Sequence, residues 1–450
     1  MPGRMQFTLE TGRPAAGARR GRGPLRLLVV GDFSARPAAE RRPLADRPTH
    51  RVDVDNLDEV IARLAPRIAT TAGTVDFTQL DDFHPDALYR RLPLFDALRQ
   101  ERARPPAQAA ELLGALLGQS APAAAGTPKP SAPATGIEAL LQRVVAPHIV
   151  PDTRAQTQAY LNAVDSAIAE QMRTLLHAPA FQALEAAWRG VQWLIASLEL
   201  DEDLQLHLFD VSREELLTDV VASQGRLAET GLHRALADRW RGVPGGAPWH
   251  LLAGLYCFGP SDADIGLLAA LGLVASQAGG PWIAEGDRTL AGAADPPALA
   301  GWQSLRGSEA APWIGLAAPR VLLRLPYGKA HDPVVSFAFE EFEGAPVHEH
   351  FLWGNPSLAV ALLIGRAFTL NGWDFEPGDE REIGDLPAYT YTQDGERELQ
   401  ACAEQYLGEE GGNALLQAGL MPVLSHRHRN AVTVMRFQSV AEPARGLFGA

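Results

Sequence analysis

The chain has 450 residues and a formal net charge of -14, with 46% hydrophobic and 21% charged residues. That length exceeds what one core serves and points to two or three domains, and the acidic balance argues against general nucleic-acid binding. Two cysteines, Cys257 and Cys402, are too few for a disulfide scaffold and fit a reducing compartment, and no apolar run approaches the ~20 residues of a membrane span. The N-terminal arginines lead into no apolar h-region, so a signal peptide is not expected and the reading is a soluble, cytoplasmic chain.

In chain order, MQFTLE at 5–10 alternates like a short strand, and a Gly/Ala/Arg-rich stretch follows at 11–24. LRLLVVGDF, residues 25–33, is an apolar run closed by Gly-Asp, which predicts a buried strand and a turn. NLDEVIARLAPRI, 56–68, predicts a helix with Asn56 as N-cap. Val75 and Phe77 alternate, and a second helix is expected to start near Asp82 or His84-Pro85. Residues 119–136 are rich in Pro, Ala, Ser and Gly, with too little apolar mass to fold, and read as a linker. Three regions result: a first domain at 1–118, the linker at 119–136 and a second domain at 137–450.

The second domain opens with IEALLQRVV at 137–145, an amphipathic helix, and a longer helix at about 155–177. HAPAFQALEAAWRGVQWLI, 177–195, continues as helix. Phe181, Leu184, Trp188, Val191 and Ile195 fall on one face, and Glu185 and Arg189, four apart, are expected to support it from outside. LQLHLFDVS, 204–212, reads as a half-buried strand and HLLAGLYCFG, 250–259, as an apolar one. Residues 262–279 and 357–373 are apolar helices, and WIGLAAPRVLLRLPYG, 313–328, ends in a turn. Strands and helices interleave, so the expected class is α/β.

Few residues suggest chemistry. His348 and His350, and His426 and His428, stand two apart and would share a face on a strand, but neither pair has a third ligand at a recognisable spacing. Loop histidines are therefore the expectation, with no metal and no cofactor. G-x-G-x-x-G, the Walker A lysine motif and G-x-S-x-G are all absent. Asp262 and Asp264 suit a helix start better than a catalytic carboxylate pair. Catalytic residues are not expected.

Ordered segments of the second domain resemble the large sheath subunit of the type VI secretion system (TssC, VipB-like). HAPAFQALEAAWRG is similar to that family's H-x-P-x-F-Q-x-L-E-x-x-W-R-G, and LHLFDVSREELLTDV and GLYCFGPSDADIGLL fit the segments that follow. APRVLLRLPYG, containing Pro319 and Arg320, resembles its P-R-x-L-L-R-x-P-Y-G, and FLWGN, containing Trp353, Gly354 and Asn355, its Y-L-W-G-N. The structural signature so marked comprises Phe181, Leu184, Glu185, Trp188, Arg189, Pro319, Arg320, Trp353, Gly354 and Asn355. The first domain resembles the small subunit (TssB, VipA-like) through LRLLVVGDFSARP, RRPLADRPTHRVDVDNLDEV and VDFTQLDDFHPDAL.

The resemblance implies a fused pair of contractile-sheath subunits, two tightly associated α/β domains on one chain joined by the Pro/Ala-rich linker, working by subunit packing and strand exchange without catalysis. Implied partners are sheath subunits (copies of this chain or a separate complete pair), an inner-tube protein, a baseplate and a ClpV-type unfoldase, with neither nucleic acid nor membrane. Phe7 and Leu9 would belong to a donated strand, and Leu140, Leu141 and Val144 to the helix an unfoldase grasps. The large subunit's C-terminal region is expected to be missing beyond the segment LLQAGLMPVLSHRHRNAVTVMRFQSVAEP. That expectation raises an accessory role as the alternative: a cap, terminator or baseplate adaptor on a complete sheath.

Overall fold

The computed structural model describes residues 23–104, 108, 153–241, 246–292, 299–344, 346–393, 395–427 and 429–447. The strand expected at 5–10, the linker at 119–136 and the helix expected at 137–145 lie outside them, with Phe7, Leu9, Leu140, Leu141, Val144 and His428.

From the first segment come β1 (Leu25–Gly31), β2 (His50–Val52), α1 (Leu57–Leu64), β3 (Arg67–Thr70), β4 (Gly73–Asp76), α2 (Pro85–Arg91) and α3 (Pro93–Arg102). From the second come α4 (Thr153–Leu176), α5 (Pro179–Ser197), β5 (Leu204–Asp210), α6 (Arg213–Ala222), β6 (Leu251–Phe258), α7 (Asp262–Ala278) and β7 (Trp282–Gly286). They are followed by α8 (Leu299–Arg306), β8 (Ile314–Ala318), β9 (Val321–Leu322), β10 (Trp353–Gly354), α9 (Pro356–Asn371) and β11 (Glu382–Ile383). Last come β12 (Thr390–Gln393), β13 (Glu396–Leu399), α10 (Glu409–Gln417), β14 (Leu420–Ser425) and β15 (Val432–Val434).

The main sheet has nine strands in the order β11-β15-β14-β8-β7-β6-β1-β5-β2. From β14 to β5 it is parallel, while β2 and β15 pair antiparallel with their neighbours. Helices cover both faces, as a largely parallel sheet requires. Leu25, Leu27 and Val29 point into one core, with residues of α1 to α5 and α9. Leu28 and Val30 point into the other, with residues of α6, α7, α8 and α10. The small pairs β3–β4, β9–β10 and β12–β13 lie outside the main sheet.

β1 and β2 come from the first segment, yet β1 lies between β5 and β6 of the second. Leu25 to Gly31 pair in register with Leu204 to Asp210 on one side, and Leu27 to Val30 with Leu251 to Gly254 on the other. The two regions read from the sequence therefore share one sheet and its cores.

Several local readings change. β5 is buried along nearly its whole length, not on alternate residues, because helices cover both of its faces. Asn56 stands at the N-cap of α1 but makes no cap bond there; its Oδ1 accepts the Asp53 N–H instead. A 3-10 turn, Leu80–Phe83, uses Gln79 and Asp82 as a capping box, and α2 then starts at Pro85 with His84 capping Asp86 N. His348–Glu349–His350 forms a 3-10 turn, not a strand, and its two imidazoles diverge. His350 stacks on His177 at 3.8 Å, while His348 Nε2 lies 3.1 Å from Glu404.

Candidate functional site: the seam between the two segments

The expected signature residues of α5 lie along the boundary where the first segment meets the second. Helix α5 forms because its apolar positions recur at helical spacing and Pro179 occupies the first turn, where no N–H partner is needed. Its buried face meets the first segment directly. Trp188 is 0% exposed; its Nε1 donates to the Phe33 carbonyl at 3.0 Å and its ring lies 5.2 Å from that of Phe33. Phe181 packs against Phe83 at 5.8 Å and Phe77 at 6.1 Å, and those two rings stack at 4.1 Å. Gly190 lets α5 cross α9 closely, since a Cβ there would stand 2.3 Å from Leu358 Cδ1.

Glu185 and Arg189 are not the outer brace the spacing predicts. Glu185 is fully buried. Its carboxylate accepts from Arg189 Nε at 2.7 Å, Arg324 Nε at 2.8 Å and Tyr327 Oη at 3.2 Å. Arg324 also donates to Glu341 at 2.7 Å, and Glu341 accepts the Tyr327 N–H at 2.8 Å. Burial would raise the Glu185 carboxyl, but Arg324 and Arg189 outweigh it and hold it below the usual range. At Glu341 burial is likewise outweighed, chiefly by Arg324, and the carboxyl is held at about 2. The network reaches the seam through Tyr327, whose ring meets His84 edge-on at 5.1 Å. Beside it Asp86 accepts the Val335 and Ser336 N–H groups at 3.1 and 2.8 Å.

At the carboxyl ends of β1 and β5 lies a second ionic cluster, which sequence reasoning missed. Asp210 accepts from Phe33 N and Ser34 N, both at 2.9 Å, and from Ser34 Oγ at 2.7 Å. Glu215 closes a capping box with Ser212 at the start of α6, and it also binds Arg41 at 2.9 Å and Arg47 at 2.8 Å. Arg47 donates as well to the Asp210 carbonyl at 2.7 Å, and Arg41 to Asp32 at 2.5 Å. Burial works against the Glu215 charge, but Arg47, the Ser212 N–H and Arg41 hold its carboxyl below the usual range. Asp32 moves the other way: burial raises it despite Arg41. The cluster borders an open groove of about 1170 Å³ between the 32–47 loop and helices α5 and α6. The S-R-E-E capping box beside a strand ending in Asp was the available sequence signal.

The other signature motifs converge away from the seam. Arg320 forms a two-point pair with Glu404, at 2.8 and 2.6 Å, and lies 3.9 Å from Glu285. Asn355 caps α9 through Ser357 N and donates weakly to Glu285 at 3.4 Å. Trp353 Nε1 donates to the His348 carbonyl at 3.0 Å. Pro319 follows β8 through a cis peptide bond, and Gly354 leaves room for Leu323, 2.7 Å from where a Cβ would sit. Burial pushes the Glu285 carboxyl up to about 7, with Arg320 opposing and Glu404 adding to the rise. Asp264, at the start of α7, is held by Ser261 and Arg213 in a cap arrangement. Among the described residues no three His, Cys, Asp or Glu side chains form a metal-binding group, and no helix is long and apolar enough to cross a membrane. What this arrangement does is hold two chain segments together.

Comparisons with known proteins match two stretches of the chain to different families. Residues 158–441 match the family described as VipB (EvpB/VC_A0108, tail sheath N-terminal domain). Residues 17–118 match the family described as "Type VI secretion system, VipA, VC_A0107 or Hcp2". The chain is 31% identical over 315 residues to the type VI secretion system sheath protein TssC1 of Pseudomonas aeruginosa, covering 65% of this chain and 63% of that protein. It is 29% identical over 92 residues to TssB1, a type VI secretion system sheath protein of the same organism, covering 18% of this chain and 54% of that protein. The chain thus spans less than two thirds of the length of either relative.

Proposed function

The chain belongs to the type VI secretion sheath family, a non-catalytic structural family, and carries a VipA/TssB domain ahead of a VipB/TssC N-terminal domain; from that premise we propose that it is a cytoplasmic sheath protomer whose small and large subunits arrive already paired. The observation that carries this reading is β1, which belongs to the small-subunit domain and lies inside the sheet of the large one. A strand hydrogen-bonded on both sides holds its register under load better than a surface contact does, and joining the partners covalently raises their effective concentration. Protomers of this kind would work by rigid-body rearrangement between two lattice packings, in a helix generated by contacts that do not close into a ring.

In this reading the domains run 1–118 and 137–450 with the linker at 119–136. The strand bearing Phe7 and Leu9 completes a sheet in a neighbouring sheath subunit. The helix bearing Leu140, Leu141 and Val144 is the handle for a ClpV-type unfoldase, and the remaining partners are an inner-tube protein and a baseplate. Negative-stain microscopy of the purified full chain tests the role. Ordered tubes, lost on deletion of residues 1–10, support a lattice protomer. Discrete particles that bind the ends of a complete sheath pair would replace it with the accessory role of cap, terminator or baseplate adaptor. L141D/V144D, with the fold intact, should lose unfoldase binding; unchanged binding removes that assignment.

A further inference from the structure

We propose that Arg41 and Arg47 of the first segment, with Asp210 and Glu215 of the second, determine which small-subunit domain the large-subunit domain accepts. The proposal rests on the reading that the two segments are a subunit pair. Most of the seam is permissive. Strand pairing along β1 is made by backbone groups that every sequence possesses, and the Phe181–Phe77–Phe83 cluster would tolerate other apolar side chains of similar volume. Neither rejects a wrong partner.

The ionic cluster does. Its pairs across the seam divide by segment: Arg41 and Arg47 come from the first, Asp210 and Glu215 from the second, and Arg41 is also held by Asp32 of its own segment. The side chains of Arg41, Arg47, Asp210 and Glu215 are only 4%, 7%, 7% and 11% exposed. Their terminal hydrogen bonds are committed, and among the described residues only Arg47 Nε is left without a partner in the cluster. Arg47 spends its fork on Glu215, the Asp210 carbonyl and the Arg42 carbonyl, and Glu215 also accepts the Ser212 N–H. A first segment lacking either arginine would leave a largely buried carboxylate under-paired, and one with an acid at position 47 would set two anions together. Discrimination arises from that penalty on the mismatch, more than from any gain on the match.

The test uses the full chain with a protease site inserted in 119–136 and cut after folding. Release of the small fragment is followed on a sizing column after dilution. In the parent the fragments co-elute; if they part freely, it is the pre-paired protomer reading that fails. R47M and E215M should each speed release about tenfold or more, and R47E about a hundredfold. The double variant R47M/E215M should release its fragment at least about tenfold more slowly than the product of the single effects, because no orphaned partner remains. R102M, which breaks the exposed Arg102–Asp165 pair at the same seam, serves as the surface control and should change release by less than about threefold. Should R47E fail to fold, the methionine cycle carries the test. Parent-like retention in R47E, or a double variant equal to the product of the singles, overturns the proposal.

Discussion

Replacing Trp188 by alanine removes the largest side chain joining α5 to the first segment. The indole is fully buried, and its N–H is the donor to the Phe33 carbonyl. Truncating a buried tryptophan costs about 3–5 kcal/mol, and the Phe33 carbonyl, left without this donor, adds about 1 kcal/mol. The sum, about 4–6 kcal/mol, is a large share of the ~5–15 kcal/mol that typically holds a native chain. W188F separates the two contributions: it keeps most of the apolar volume and loses the donor, for about 1–3 kcal/mol. Urea unfolding followed by far-UV circular dichroism measures both. Because the segments share a sheet, the parent and W188F should each unfold in one transition. A W188A midpoint within about 1 kcal/mol of the parent would refute the packing argument, and W188A equal to W188F would refute the ring's share in it.

Further outcomes follow from the same geometry. E185A should cost about 3–5 kcal/mol, since it takes from Arg189 its carboxylate and leaves Arg324 with Glu341 alone; an effect near the ~0.3–0.5 kcal/mol of a surface helix pair would return Glu185 to the outside of its helix. G190A drives a methyl into Leu358 and should lose about 1–3 kcal/mol by thermal or urea unfolding, whereas parent stability would mean that α5 and α9 do not cross closely. Burial, with Arg26 nearby, lowers His207 to about 3 and His250 to about 4, so the folded chain resists protons that the unfolded chain binds. Their stabilising effect is complete above the ordinary histidine range near 6.5 and is lost as pH falls toward 3–4; by pH 5 His207 alone costs about 2 kcal/mol. Glu285, raised to about 7, works in the opposite direction, because the folded chain gains its proton first as pH falls. The readout is therefore the difference between parent and H207N from pH 7.5 to 5, and identical acid losses in the two would remove His207 from the account. A promiscuous protease should cut first within 119–136, as its composition implies, leaving fragments that co-purify; fragments that separate on a sizing column would remove the docked pair.

How far the sequence reaches is clearest along α5. Its helical period, its proline start and its buried face of Phe181, Leu184, Trp188, Val191 and Ile195 follow from local spacing, and they stand as read. The same spacing misjudges Glu185 and Arg189. An i,i+4 acid-base pair reads identically on a solvated face and inside a protein, and Arg324, Tyr327 and Glu341, which settle the matter, lie more than a hundred residues away. β5 was legible as a strand from its apolar residues, but burial along nearly its whole length depends on helices covering both faces of its sheet.

Most element types among the described residues, the two family-like segments and the family are legible along the chain, because periodicity, composition and ordered motifs carry them; the helix read at 56–68 is an exception, since it stops at Leu64 and a strand begins at Arg67. That the segments share one sheet emerges only in three dimensions. β1 is apolar enough to be buried in any sheet, and nothing in its seven residues names β5 and β6 as its neighbours. Strand pairing uses backbone groups common to all residues, so the choice of partner rests on packing and on buried charges such as Arg47 and Glu215, whose meaning exists only once distant parts of the chain have met.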